Sequence, residues 1–144
     1  MIDLAAVSVC VLILDQTLKL LVLHRLGADG VSLGPLGKLQ PVKTRIWWAR
    51  WDFLPHLTAL WSLWLLAAAM LVVLCVLFPA CRWFSGVLLG ASFSHVLETS
   101  LRGSIRDYVC LRFWPAFNFA DVAISIGAVG VVVQMLIALT EMWP

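Results

Sequence analysis

Residues 57–78 read LTALWSLWLLAAAMLVVLCVLF, a continuous apolar run without an ionisable side chain. A helix needs about 20 such residues to cross the hydrocarbon core of a bilayer. Three further stretches, 4–26, 83–101 and 115–139, are also long and apolar, although each contains ionisable residues. The sequence therefore predicts four membrane-spanning helices that form a single integral membrane domain over residues 1–144.

The composition of the whole chain also indicates a membrane protein. Hydrophobic residues make up 62% of the 144 residues and charged residues 12%, and the mean hydropathy is +0.99. A soluble domain carries about 25% charged residues. A chain this small has too little interior to bury its apolar surface, so membrane lipids are predicted to cover it. The net charge is only +2 and no basic run with interleaved aromatics occurs, so nucleic acid is not a predicted partner.

Ionisable residues inside three of the apolar stretches predict a polar site within the membrane. The first stretch contains Asp15 and Lys19, the third contains His95 and Glu98, and the fourth contains Asp121. Charged groups are costly in lipid and normally face the interior of a helix bundle. Asp15 and Lys19 can neutralise each other one helical turn apart, and Lys19 is also a candidate partner for Glu98. We expect a buried polar cluster.

A metal site is the alternative use of His95 and Glu98, which are three residues apart on one face of the predicted third helix. A protein zinc site normally has three or four ligands, and no third ligand is apparent here. We therefore predict no metal site here, and we assign both side chains to the polar cluster.

The connections between the predicted helices differ in length. Residues 79–82 form a tight turn, which makes the second and third helices antiparallel neighbours. The first connection, 27–56, is long and rich in Gly, Pro and Trp, and it fits either a small extramembrane β element or a helix lying at the membrane surface. The third connection, 102–114, is short. Gly103 allows a sharp exit from the third helix, and Pro115 suits the first position of the fourth.

Basic residues are concentrated at one end of the predicted bundle. Those of the first connection and its flank are Arg25, Lys38, Lys43, Arg45 and Arg50, those of the third connection are Arg102, Arg106 and Arg112, and the opposite end has Arg82. The positive-inside rule would place both connections in the cytoplasm.

Two aspartates are predicted to meet at one membrane face. Asp107 follows the third helix, and Asp121 lies within the predicted fourth helix, about 9 Å below its start. Because one short loop joins these helices, both carboxylates lie near the same face. Two carboxylates in a partly dry pocket do not both ionise easily. The charged one can activate a water while the protonated one polarises a carbonyl, which is the chemistry of aspartic peptide hydrolysis. The alternative is a solvated Asp107 that caps a turn and a buried Asp121 paired with an arginine.

Three motifs resemble those of the lipoprotein signal peptidases, the type II signal peptidases. Residues 115–121, PAFNFAD, look like the family signature Phe-Asn-x-Ala-Asp. Residues 103–108, GSIRDY, are similar to the family's Gly-x-x-x-Asp-Phe, and residues 15–19, DQTLK, resemble its Asp-Gln-x-x-Lys. The motifs follow the family's order from the first helix to the fourth.

The resemblance implies a four-helix aspartic endopeptidase of the bacterial inner membrane. Its substrate would be a lipid-modified preprolipoprotein, cut just before the modified cysteine without a metal or cofactor. Asp107 and Asp121 fall on the catalytic pair, Asn118 falls on the asparagine that orients it, and Asp15 and Lys19 fall on an intramembrane polar pair. Family topology places the termini in the cytoplasm and the pair at the outer face, which is the reverse of the orientation that the basic residues indicate.

The third helix departs from the family pattern. The family's Gly-Asn-x-x-Asp-Arg corresponds here to Ser94-His95-x-x-Glu98-Thr99. Histidine therefore replaces asparagine, glutamate replaces aspartate, and the arginine is lost.

A second family motif, Asn-x-Gly, is absent, because Asn118 is the only asparagine in the chain. Residues 44–53, with arginines and tryptophans, occupy its place.

The sequence thus supports a divergent prolipoprotein signal peptidase. One alternative is a catalytically impaired relative that serves as a membrane subunit or lipoprotein-binding module of a larger complex. A small transporter or channel subunit is the other, since intramembrane charges alone would also fit one.

Overall fold

The computed structural model describes residues 1–26, 30–44 and 56–142. The Arg- and Trp-rich segment of the first connection, including Arg45 and Arg50, lies outside these residues. The helices are α1 Ile2–Leu26, α2 His56–Leu77, α3 Arg82–Arg102 and α4 Phe119–Met142, and the strands are β1 Val31–Ser32, β2 Gly37–Thr44 and β3 Ile105–Leu111. The described elements form one helix bundle with one attached sheet.

Three helices are long and apolar enough to cross a membrane: Ile2–Leu26, Leu57–Leu77 and Phe119–Glu141, with mean hydropathies of 2.0, 2.6 and 2.5. The fourth, α3, has 21 residues and is therefore about 30 Å long. It is more polar because it packs against each of the other three helices, so much of its surface meets protein and not lipid. The predicted four-helix membrane architecture is confirmed.

Close packing of α1 on α3 depends on two glycines of α3. A Cβ atom on Gly86 would lie 2.9 Å from the carbonyl oxygen of Leu4, and one on Gly90 would collide with the carbonyl of Ser8. The Ser8 hydroxyl also donates to the Gly86 carbonyl at 3.0 Å. Small residues at such positions let two membrane helices approach closely, and this approach brings the polar residues of α1 and α3 within bonding distance.

Two tryptophans attach α2 to the outer side of α3. The indole N–H of Trp61 donates to the Ser100 hydroxyl at 3.0 Å, and that of Trp64 donates to the Ser92 hydroxyl at 3.1 Å. Both rings also pack against Phe93, with centroid separations of 5.9 and 5.0 Å. Partnered indole groups of this kind combine apolar contact with a satisfied donor.

The sheet is antiparallel with the order β1-β2-β3. Residues 30–44 supply β1 and β2. Of the two alternatives that the sequence left open for the first connection, the β element is therefore the one that forms in these residues. Residues 105–111 were predicted to be part of a short loop, and this prediction is wrong. They form β3 because they pair with β2, from Gly37↔Leu111 to Thr44↔Ile105.

The start of α4 also differs from the prediction. After β3 the chain turns back, and Phe117 exchanges backbone hydrogen bonds with Val109 at 2.9 and 3.1 Å. Because this bridge occupies the backbone of Phe117, α4 begins at Phe119 and not at Pro115. Asp121 consequently lies in the first turn of α4, and the predicted depth of about 9 Å below the helix start is wrong.

Gly103 ends α3 as predicted. It adopts a left-handed conformation with φ 66°, and its N–H donates to the Thr99 carbonyl, an arrangement that glycine adopts without steric cost. The sheet therefore lies at the end of the bundle where α1 and α3 finish and α2 and α4 begin. The ends of α2 and α4 and the start of α1 lie at the opposite end.

Replacing Gly90 with alanine should weaken the α1–α3 contact, because the new methyl group meets the Ser8 backbone. Overpacking of this kind costs about 1–3 kcal/mol, which is expected as a lower thermal unfolding midpoint in detergent micelles. Ala128→Leu adds more bulk at an exposed position of α4 and should leave the midpoint nearly unchanged. Equal midpoints for G90A and wild type would contradict the proposed contact.

Candidate functional site

Asn118 and Asp121 form a reciprocal cap at the start of α4. The Asp121 N–H donates to Oδ1 of Asn118 at 3.2 Å, and the Asn118 N–H donates to Oδ2 of Asp121 at 2.8 Å. This is the capping-box pattern, which satisfies helix N–H groups that lack intrahelical partners. It also fixes the direction of the Asp121 side chain.

The other two free N–H groups of the first turn bind neighbouring elements. The Phe119 N–H donates to the Tyr108 phenol oxygen at 3.1 Å, and the Ala120 N–H donates to Oδ1 of Asp15 at 3.0 Å. The start of α4 is therefore attached to β3 through Tyr108 and to α1 through Asp15.

Asn118 also reaches the other aspartate. Its Nδ2 donates to Oδ1 of Asp107 at 2.6 Å and lies 3.4 Å from the Arg106 carbonyl. Oδ1 of the same amide accepts the Asp121 N–H. The hydrogen bonds therefore identify which end of the amide is the oxygen and which is the nitrogen. One fully buried asparagine thus connects Asp107 and Asp121, which is the juxtaposition that the sequence predicts.

The two aspartates have different surroundings. Asp107 lies on β3 and is 4% exposed, whereas the Asp121 side chain is 40% exposed. The alternative of a solvated Asp107 on a loop is therefore wrong. The matching alternative of a buried Asp121 also fails, because this side chain is partly open and contacts Asn118 and His95.

His95 of α3 lies beside this pair. Its Nε2 is 3.2 Å from Oδ1 of Asn118 and 3.8 Å from Oδ1 of Asp121, and its side chain is 16% exposed. The imidazole therefore contacts Asn118 and Asp121, while Glu98, three residues further on, faces other partners. In the described part of the chain, no three His, Cys, Asp or Glu side chains converge as metal ligands would.

Behind the pair, Lys19 connects two buried carboxylates. Its Nζ lies 2.7 Å from Oδ2 of Asp15 and 2.8 Å from Oε2 of Glu98, and all three side chains are 0% exposed. Ser94 donates a further hydrogen bond to Oδ2 of Asp15 at 2.5 Å. Both predicted pairings of Lys19, with Asp15 and with Glu98, are present.

Two arginines complete this cluster, and the sequence interpretation missed both. Oε1 of Glu98 accepts hydrogen bonds from Nε of Arg106 and from Nη1 of Arg102, the latter at 3.2 Å. An arginine thus reaches Glu98 from β3, although Thr99 stands where the family pattern has one. Neighbouring strand residues point to opposite faces, so Arg106 turns to Glu98 while Asp107 turns to Asn118.

Tyr108 is a neutral member of the site. Burial raises the pKa of its phenol, the hydrogen bond from the Phe119 N–H opposes the rise, and the charges of Asp15 and Asp121 add to it. The phenol therefore keeps its proton at neutral pH while its oxygen accepts from α4.

Replacing Lys19 with methionine should strongly destabilise the protein, because Asp15 and Glu98 would then share a buried pocket without their common cation. Breaking a buried pair in this way costs about 3–5 kcal/mol. Thermal unfolding in micelles measures the loss, with Lys38→Met as the control, since Lys38 is exposed on β2. A K19M protein as stable as K38M would show that the cluster is not required for the fold.

The chain is similar to known proteins over most of its length. A family model described as Signal peptidase (SPase) II matches residues 7–137. Lipoprotein signal peptidases are similar in sequence: that of Moorella thermoacetica is 32% identical over 63 residues, covering 44% of this chain and 42% of the relative. That of Polynucleobacter necessarius is 31% identical over 88 residues, covering 56% and 50%. The chain thus spans about half the length of these curated relatives.

Solved structures show the same fold. A bacterial membrane enzyme at 1.9 Å resolution superposes with a TM-score of 0.74 at 17% identity, covering 91% of this chain and 90% of that one. A second, at 2.3 Å, also has a TM-score of 0.74 and covers 94% and 88%. The family match over residues 7–137 contains all three motifs that resemble those of the lipoprotein signal peptidases. The chain belongs to the signal peptidase II family.

Proposed function

We propose that this protein is a membrane aspartic endopeptidase that cuts prolipoprotein signal peptides just before a lipid-modified cysteine. The observation that carries the proposal is the juxtaposition of Asp107 and Asp121 through the buried Asn118 amide. Membership of the signal peptidase II family supports it, and so do the similar lipoprotein signal peptidases.

The surroundings of the two carboxylates support different roles for them in this proposal. Asp121 accepts the Asn118 N–H in the first turn of α4, where the helix dipole favours a negative charge, and it is the more exposed of the two. Asp121 is therefore the base that takes a proton from the attacking water. Asp107 is nearly enclosed and holds the shared proton for the substrate carbonyl.

Asp107 and Asp121 together give and take every proton that the hydrolysis requires. The water oxygen bonds to the carbonyl carbon as Asp121 takes its proton, and Asp107 gives its own proton to the carbonyl oxygen. When the tetrahedral intermediate collapses, the C–N bond breaks, the amide nitrogen takes the proton from Asp121, and a hydroxyl proton returns to Asp107. The products are a carboxylic acid and an amine, and the pair is restored.

The position of the site suits a substrate anchored in lipid. Asp121 lies in the first turn of α4 and Asp107 on the adjoining sheet, so the pair is at the end of the bundle and not at its centre. A signal-peptide helix lying beside the bundle would present its end, with the lipid-modified cysteine, at this level.

We also propose that this end faces the outside of the inner membrane. Two basic residues at this end, Arg102 and Arg106, bind Glu98. Because these two arginines bind a carboxylate within the protein, the number of basic residues at this end overstates the evidence that the positive-inside rule gives for a cytoplasmic location.

Asp107→Asn and Asp121→Asn should each abolish cleavage of a diacylated precursor by the purified protein, because an amide neither accepts the water proton nor donates as an acid. The measurement is the mobility shift of the precursor on a gel. Asp3→Asn changes an exposed aspartate at the start of α1 and should cleave like wild type. If wild type itself leaves the precursor intact, the proposed activity is wrong.

Asn118→Ser separates the two tasks of Asn118. Serine also caps helices, so N118S should keep the α4 cap, whereas Asn118→Ala loses it as well and should be less stable than N118S by about 1 kcal/mol. Serine cannot reproduce the amide bond to Asp107, and we expect cleavage at least tenfold slower. Wild-type rates in N118S would show that the connection between the aspartates is dispensable.

A non-catalytic membrane subunit or lipoprotein-binding module is the second candidate function. The observation that favours it is the changed third-helix pattern, with His95, Glu98 and Thr99. Such a protein would co-purify with a larger membrane complex, and D107N and D121N would not alter this association. Cleavage by the isolated protein would exclude the idea that the pocket is inactive.

A further inference from the structure

A groove of about 360 Å³ lies between α1, α2 and α3. Residues of all three helices line it, among them Ala5, Ser8, Trp64, Ala68, Leu89 and Phe93. Both α1 and α2 pack on α3, so the groove has one of these helices on each side and α3 between them. Because the bundle spans the membrane, the groove opens toward lipid hydrocarbon.

The hydrogen-bonding atoms in the groove already have partners. Among the described residues that line it, only Ser8 and Trp64 have polar side-chain atoms. The Ser8 hydroxyl lies 2.8 Å from the Leu4 carbonyl and 3.0 Å from that of Gly86, and the Trp64 N–H donates to Ser92 at 3.1 Å. The groove therefore offers apolar contacts and none of the free hydrogen-bonding groups that a polar ligand requires.

The groove and the aspartate pair lie on opposite sides of α3. Successive residues of an α-helix are about 100° apart, which places Leu89 and Phe93 about 120° and 160° from His95 around the helix. His95 faces Asp121, 3.8 Å away. A substrate held at Asp121 therefore has α3 between its reacting bond and the groove.

A transmembrane helix is too wide to lie within the groove. An α-helix is about 10–12 Å across with its side chains, so ten residues of it fill roughly 1,200 Å³. The groove is much smaller, at about 360 Å³, and a neighbouring helix could only lie across its mouth. An extended acyl chain is one methylene wide and can enter it.

Arg82 supplies a cation on the same face of α3, at the end of the bundle opposite the sheet. It is the first residue of α3, about 20° from Leu89 around the helix and about 10 Å from it along the axis. Its Nε donates to the Cys75 carbonyl at 3.4 Å, and a guanidinium has further N–H donors. Since α3 is about as long as the hydrocarbon core is thick, Arg82 lies at the level of the phospholipid headgroups.

We propose that this groove binds one acyl chain of a bilayer phospholipid, whose phosphate is held by Arg82. Arginine and phosphate form strong, charge-assisted hydrogen bonds, and the chain gains dispersion contacts with three helices at once. These two features distinguish this lipid from those that cover the rest of the bundle. The site does not depend on the proposed catalytic activity.

Ala68→Phe should empty the groove, because a phenyl group at this half-buried lining position takes the place of the chain. Ala69→Phe makes the same change at the neighbouring exposed position of α2 and is the matched control. Each purified protein is mixed in micelles with dioleoyl phosphatidylglycerol, and native mass spectrometry counts the lipids that it retains. Wild type and A69F should retain one lipid per chain, whereas the lipid-bound fraction of A68F should be at least about tenfold lower.

Equal retention by A68F and A69F, or no retention by wild type, would overturn the proposal. If A68F does not fold, Ala5→Phe repeats the test from α1, with the exposed Ala6→Phe as its control.

Arg82→Gln tests the phosphate contact. Glutamine keeps an N–H donor for the Cys75 carbonyl but has no charge, so R82Q should retain about tenfold less phosphatidylglycerol, and Arg82→Lys should recover most of the loss. Dioleoylglycerol has the same chains without the phosphate, and wild type should retain it poorly. Equal retention of the two lipids by wild type would overturn the role of Arg82.

Two further measurements identify other occupants. A diacylated precursor should not displace the phospholipid, because the aspartate pair lies on the other side of α3. Displacement would assign the groove to the acyl chains of the substrate and overturn the proposal. A membrane protein that co-purifies with wild type but not with A68F, while A68F retains as much phospholipid as A69F, would assign the groove to a partner helix instead.

Discussion

The ammonium of Lys19, enclosed between Asp15 and Glu98, is the interaction on which the rest of the structure depends. Asp15 uses its other oxygen to hold the first turn of α4, and Glu98 uses its other oxygen to hold Arg106 of β3. One cation on α1 is therefore connected, through two carboxylates, to α3, α4 and the sheet. The helix turn that Asp15 holds contains Asp121, and the strand that Glu98 holds contains Asp107.

The ion pairs require an unusual third helix. An unpaired charge is costly within a bilayer. The attraction between two opposite charges offsets that cost only where their geometry is good and their remaining hydrogen-bonding atoms also have partners. The glycines at 86 and 90 let α1 approach closely enough for Lys19 to reach Glu98. The same helix is less apolar than its neighbours because the other three helices, and not lipid, cover much of it.

The sequence predicts the helices and the pairing of Lys19 with Asp15 well, because apolar length and one-turn spacing are local properties. The pairing of Lys19 with Glu98 follows instead from the cost of leaving a charge unpaired in lipid. It also places Asp107 and Asp121 at one end of the bundle. It misses β3, whose pairing with β2 joins residues such as Lys43 and Arg106 that are far apart in the chain. The contact of Arg106 with Glu98 depends on that strand. The β-branched and aromatic residues Ile105, Tyr108 and Val109 are the signal that favours a strand here, but the short connection between two helices favours a loop.

The pairing of β2 with β3 has a consequence for biosynthesis. Residues 37–44 leave the ribosome before their partner strand and the first turn of α4, because α2 and α3 lie between them in the chain. Until then Asp107 has no sheet to hold it, and Asn118 has no helix to cap. A nascent chain arrested after its third helix would have both Asp15 and Glu98 in the membrane but would lack the aspartate pair. The aspartate pair is thus assembled only after α1, α2 and α3 have been synthesised.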